Sequence, residues 1–98
     1  MHVVERRQAP RYRVALPVEL EGGSGQTRDA SASGVFFETD QSFSPGAPIS
    51  LALVFGGGLR VQCEGQVVRV EPVGARVGVA IALMSYRFRD FEQPDVLG

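Results

Sequence analysis

Apolar residues recur at every second position over most of this chain, and that period marks it as a succession of β-strands. In Tyr12 to Glu21, Val14, Leu16, Val18 and Leu20 share one face, while Arg13, Pro17, Glu19 and Glu21 share the other. Pro17 cannot donate to a ladder, so an edge strand or a local break is predicted there. Gly22 to Gln26 reads as a flexible turn, Gly34 to Thr39 as a second strand, and Ser42 to Gly46 as a turn built on Pro45 and Gly46. Ile49, Leu51, Leu53 and Phe55 line a third strand that stops at the triple glycine Gly56 to Gly58. Its hairpin partner begins at Leu59. The alternation through Leu59, Val61 and Cys63 changes after Gly65, where Val67 and Val68 are adjacent, and this predicts a bulge or sharp bend. Arg76 to Leu83 turns Val77, Val79, Ile81 and Leu83 inward.

After Leu83 the spacing changes. Met84, Phe88 and Phe91 fall at i, i+4 and i+7, which predicts a short helix packed on an open end of the sheet and stopped by Pro94. At 98 residues the chain buries somewhat over ~60% of the surface its unfolded form exposes, enough for one modest core. The expected fold is therefore mainly β: a small six-stranded antiparallel barrel, closed so that few sheet edges are exposed, with a short C-terminal helix and a flexible basic N-terminal arm. The expected boundaries are an arm over 1–11, the barrel and its helix over 12–93, and a frayed tail over 94–98.

Several function classes are excluded or disfavoured by composition. No apolar run approaches the length of a membrane-spanning helix, and Met1 to Arg6 has no apolar stretch behind its charges to make a secretory signal, so a cytoplasmic location is expected. Cys63 is the lone cysteine, on the same alternating face as Leu59 and Val61, which predicts a buried, inert thiol and no metal site. His2 is the lone histidine and lysine is absent, so the usual pairs of nucleophile and base cannot be assembled and no enzyme activity is expected. Ten arginines face eleven acids, yet Arg6, Arg7, Arg11 and Arg13 fall within the first thirteen residues against Glu5 alone. A locally basic arm on a chain of pI near 5.7 suits a small anion better than a long polyanion.

Two short patterns remain. Arg7 and Arg11 form an RxxxR spacing, and Pro10 biases Ala9 toward extended geometry, so a bent arm is expected rather than a helix. Taken alone this spacing is uninformative, since about one match arises by chance in a chain of this composition. Asp29, Ser31 and Gly34 form a DxSxxG spacing directly before an apolar strand, with a chance expectation of roughly 0.03. A plain turn accounts for it, with Asp29 and Ser31 bonding nearby backbone and Gly34 supplying a positive φ. The same turn presents a carboxylate, a hydroxyl and uncovered backbone to a ligand.

The order of these patterns, Arg7 and Arg11 on an arm before the first strand and Asp29, Ser31 and Gly34 leading into the second, resembles the PilZ domain family, whose members bind the bacterial second messenger cyclic di-GMP. Gly34 to Thr39, Gly65 to Val70 and Arg76 to Ile81 also resemble family strands, and the likeness covers roughly Glu5 to Phe91. The resemblance implies that Arg7 and Arg11 clamp phosphate and the guanine O6/N7 edge, that Asp29 and Ser31 read guanine, and that Gly34 keeps the turn open. Arginine forks suit both targets, and a carboxylate accepts from guanine N1 and N2 hydrogens. For Arg6 it implies stacking on a guanine plane and an influence on whether one ligand or a stacked pair is bound. The function so implied is a cyclic di-GMP receptor without other cofactor, whose arm orders on binding and signals to a protein partner in motility, polysaccharide or a similar output. Two alternatives stand beside it: a protein-interaction adaptor of the same fold that binds no ligand, and a small barrel for single-stranded nucleic acid. The acidic pI and the lack of an aromatic platform weigh against the last.

Overall fold

The computed structural model describes residues 10–90, without the side chains of Arg89 and Asp90. Arg6, Arg7, Phe91 and the tail over 94–98 therefore lie outside the described residues. Six strands follow one another: β1 (Pro17–Leu20), β2 (Gly23–Ala30), β3 (Gly34–Thr39), β4 (Pro48–Val54), β5 (Leu59–Val73) and β6 (Arg76–Asp90). All neighbours are antiparallel, and the order β1-β2-β3-β6-β5-β4 closes on itself through the pairing of β1 with β4. The predicted barrel is present. Its interior holds Val18, Val35, Phe37, Ile49, Leu51, Leu53, Val61, Cys63, Val67, Val79 and Ile81, drawn from five of the strands, as strict alternation requires. Phe37 is wholly buried and meets Phe43 edge to face, with ring centroids 6.3 Å apart.

Local chemistry explains most strand boundaries. Pro17 is the first residue of β1, where the β4 ladder has not yet begun: that ladder starts at Val18 opposite Leu53. Closure thus removes the predicted edge, and the imide causes no lost bond. The predicted Gly22–Gln26 turn shrinks, because Gly23 to Gln26 pair with Leu20 to Pro17 and belong to β2. Ladder bonds to a neighbouring strand override the low β-propensity of glycine there. Gly57 and Gly58 adopt left-handed φ values of 77° and 83° in the β4–β5 connection, where Phe55 N donates to Leu59 O at 2.8 Å. On the outer wall Glu19 and Arg60 pair through two bonds of 2.9 and 2.8 Å, and that hydrogen-bonded guanidinium holds the Glu19 carboxyl below its usual range. The pair supports the fold at neutral pH and is lost as acid protonates Glu19.

The C-terminal helix is not present among the described residues. β6 continues through Met84 and Phe88 to Asp90, paired with the first half of β5. Gly65 lies opposite Leu83 and Glu64 opposite Ser85, so Met84 has no partner and forms a bulge. Beyond it Tyr86 faces Cys63 and Phe88 faces Val61. A one-residue bulge moves the inward phase from Leu83 to Tyr86, three positions on, and such a step imitates helical spacing. Ser85 and Arg87, alternating with Tyr86 and Phe88, keep the period of two beyond the bulge.

Cys63 is 1% exposed and its thiol is pushed up to about 11 from the ordinary value near 9, first by burial and then by the Glu64 carboxylate. Below pH 9 the thiol is protonated whether the chain is folded or not, so its burial carries no ionisation cost. Between pH 9 and 11 only the unfolded form ionises, and stability must fall across that window. Thermal melts should therefore show a declining Tm from pH 9 to 11 that Cys63→Ala lessens, and a thiol-specific reagent should leave the folded chain unmodified at pH 8. Rapid labelling of folded protein would contradict this burial.

Candidate functional site

The DxSxxG corner begins inside β2. Thr27 faces Phe37 and Asp29 faces Phe36, so Arg28 is an extra residue that bulges the strand. Arg28 turns outward to pair with Glu38, and Asp29, in register with the outward Phe36, reaches the outer face as well. Ser31 then closes the turn into β3: its N–H donates to Gly34 O at 2.8 Å, and its Oγ accepts from Ser33 N at 3.2 Å. Leu83 N donates to Ser33 O at 2.9 Å and ties the corner to β6.

Gly34 serves a different purpose from the one expected. It is not among the residues of positive φ; instead a Cβ there would stand 2.8 Å from Ile81 O, because β3 and β6 approach closely at the Gly34–Ala82 pair. The glycine is required by backbone proximity, not by a left-handed turn.

The segment ahead of β1 is fastened against this corner. Tyr12 and Ala30 exchange two backbone bonds, of 2.9 and 3.0 Å. Thr27, 1% exposed, accepts from Leu16 N at 2.8 Å and donates to Val14 O through the same hydroxyl. These bonds carry Arg11 to Asp29, with Nη1 3.3 Å from Oδ1. The contact is single, long and solvent-accessible, with Arg11 59% and Asp29 30% exposed, so it contributes little to stability and is readily exchanged for a ligand. Of the predicted residues, Arg11, Asp29, Ser31 and Gly34 are thus brought together; Arg6 and Arg7 lie outside the described residues.

Two further features escape motif reading. Asp29, Phe36, Ala80 and Arg69 form one row across β2, β3, β6 and β5, each in register with the next. Three strand spacings of about 4.8 Å make that row roughly 14 Å long. At its far end the Arg69 guanidinium lies over the Phe36 ring, 5.9 Å from its centroid. Arg69 reaches this place because Val68 is skipped in the β5–β6 ladder, which no sequence spacing announces. The second feature is an apolar cavity of about 320 Å³ at the adjacent mouth of the barrel, lined by Tyr12, Ser31, Val35, Tyr86 and Phe88 among others.

No group of metal-ligating side chains occurs among the described residues, and no helix there is long and apolar enough to cross a membrane. What the site offers is an exchangeable cation–carboxylate pair, a hydroxyl-braced turn and an outer wall carrying a ring and a second guanidinium. That is equipment for holding a planar, anionic, hydrogen-bonding molecule.

Comparison with curated proteins finds no match to this sequence. Among solved structures the chain is similar to the Bacillus subtilis inhibitor of motility MotI/DgrA, with a TM-score of 0.70 and 19% identity over 84% of this chain. The match spans 44% of that chain, less than half its length, and at this identity it speaks for the fold. Comparison with protein families matches residues 5–93 to the PilZ domain, nearly the full length. Because that match covers nearly the whole chain, the chain belongs to the PilZ domain family, a family of cyclic di-GMP receptors.

Proposed function

We propose that this PilZ domain binds cyclic di-GMP across the outer face of β2 and β3 and passes the signal to a partner protein without catalysis. The observation that carries the reading is the 3.3 Å approach of Arg11 to Asp29, which joins two motifs 18 residues apart at one solvent-accessible point. Each group has a use on the ligand. The Asp29 carboxylate accepts from guanine N1 and N2 hydrogens, and the Arg11 fork serves phosphate or the O6/N7 edge. Ser31 adds a hydroxyl from a turn already braced, so little ordering remains to oppose binding. The Phe36 ring, opposite Asp29 on the next strand, with Arg69 above it supplies a surface for a purine face.

Arg7 clamps phosphate beside Arg11 in this reading, and Arg6 stacks on guanine. The dinucleotide draws the leader onto the outer wall, and the changed surface is what the partner meets. Hydrogen exchange of residues 3–9 should slow at saturating ligand; unchanged rates would rule out this ordering step.

Titration calorimetry tests the core of the proposal. The natural chain should bind cyclic di-GMP, and Arg11→Ala or Asp29→Ala should each lose on the order of 1.5 to 3 kcal/mol, or about tenfold or more in affinity. Because the pair contributes so little to folding, both variants should melt within a few degrees of the natural chain. Natural protein that gives no heat, or variants that bind as tightly as it does, would sink the reading in favour of the ligand-free adaptor.

A further inference from the structure

β6 outruns its neighbour β3. The ladder between them ends at Gly34 and Ala82, and Leu83 N to Ser33 O, at 2.9 Å, is the last bond across that seam. From Met84 onward β6 is held by β5 on one side, and among the described residues nothing pairs with its other edge. A free edge offers a row of unsatisfied N–H and C=O groups, which soluble proteins ordinarily blunt with charge, proline or a covering element. This one carries exposed apolar side chains instead: Met84, Tyr86 and Phe88 are 73, 48 and 68% exposed. Tyr86 and Phe88 meet edge to face with centroids 6.4 Å apart and line the 320 Å³ apolar mouth. Between them on the opposite face stands Arg87, exposed and with no ion pair to any described residue.

These features dictate what fits. Backbone groups along one edge call for an extended chain, aromatic rings over an apolar cavity call for apolar residues at alternate positions, and the cation between them calls for acids at the rest. We propose that the free edge of β6 from Met84 to Phe88 docks an extended segment of a partner protein in which apolar and acidic residues alternate, added to the barrel as one more strand. A second copy of this chain is a poorer occupant, since antiparallel pairing of two such edges sets Arg87 against Arg87 of the other. Tyr12 lines the same mouth and directly follows Arg11, so a docked strand touches the segment that bears the ligand motif. That output role rests on the receptor reading above; the docking itself rests on the barrel end alone.

The test uses the full 98-residue chain, isotopically labelled, with no dinucleotide present. A short synthetic peptide alternating valine and glutamate is titrated in, and one alternating valine and lysine serves as its opposite. The acidic peptide should shift the amides of residues 84–88 and bind at least about tenfold more tightly than the basic one. Phe88→Ser should weaken it by about tenfold or more, and Arg87→Glu should reverse the preference. Both side chains are exposed, so the remaining amide spectrum should be unchanged and cyclic di-GMP should still be bound by Phe88→Ser, which separates failure of the dock from failure of the receptor. Indifference to peptide charge, no shifts at 84–88 with either peptide, or sedimentation revealing a dimer that Phe88→Ser dissolves would each overturn the proposal.

Discussion

Gly65→Ala, a change of one methyl group, should cost at least about 4 kcal/mol and leave the chain largely unfolded at 37 °C. A Cβ at residue 65 would lie 2.3 Å from Ala82 O and 3.2 Å from the carbon that bears it. Both are backbone atoms, so no side-chain rotation relieves the contact. β5 and β6 would have to separate at the point where Gly65 pairs with Leu83 and the Met84 bulge begins. In an open sheet a neighbouring strand swings aside; here Ala82 is held on its other flank by Gly34 of β3, and displacement is passed around the ring. Gly56→Ala is the matched control. Its added carbon meets nothing within 4 Å and its φ is not positive, so it should stay within about 0.5 kcal/mol of the natural chain. Urea denaturation followed by circular dichroism measures both. Equal midpoints for the two variants would show that the barrel yields at this seam.

Much of this fold is legible in the sequence because burial in a barrel is a period-two property. Ile49, Leu51, Leu53, Val61, Cys63, Val79 and Ile81 are buried as their spacing requires, and the change of phase after Gly65 marks a true irregularity in the ladder. Phe55 is the partial exception, half out of the mouth at the end of its strand. The same rule misleads where a bulge shifts it, and Met84 turned a strand pattern into a helical one. At the site, Arg11, Asp29, Ser31 and Gly34 are visible as spacings, but the spacings do not say what brings them together. That work falls to the Tyr12–Ala30 bridge and the Thr27 hydroxyl, and a threonine in a strand carries no mark of such a role. Arg69 is hidden for another reason: its place beside Phe36 depends on the registers of three strands and a skipped residue, which are long-range facts.

Thr27→Val should separate what holds the leader from what binds the ligand. The substitution keeps the shape and removes a hydroxyl that serves Leu16 N and Val14 O together, leaving two part-buried backbone groups without that partner. At about 1 to 3 kcal/mol for each orphaned group, the expected loss is about 2 to 6 kcal/mol. Thr39→Val makes a comparison of equal chemistry. Thr39 is wholly buried, donates to Ser24 O at 2.7 Å and accepts from Gln41 N at 3.2 Å, but it lies away from the leader. The two variants should lose similar stability in urea. Only Thr27→Val should also bind cyclic di-GMP more weakly, by about tenfold, since Arg11 reaches Asp29 through a segment that Thr27 pins. If both variants lost affinity alike, general loosening of the barrel would account for the effect; if neither did, the Tyr12–Ala30 bridge alone would suffice to place the arginine. A selective loss at residue 27 means that the ligand site is built as much by a buried threonine beneath the leader as by the charged groups on its surface.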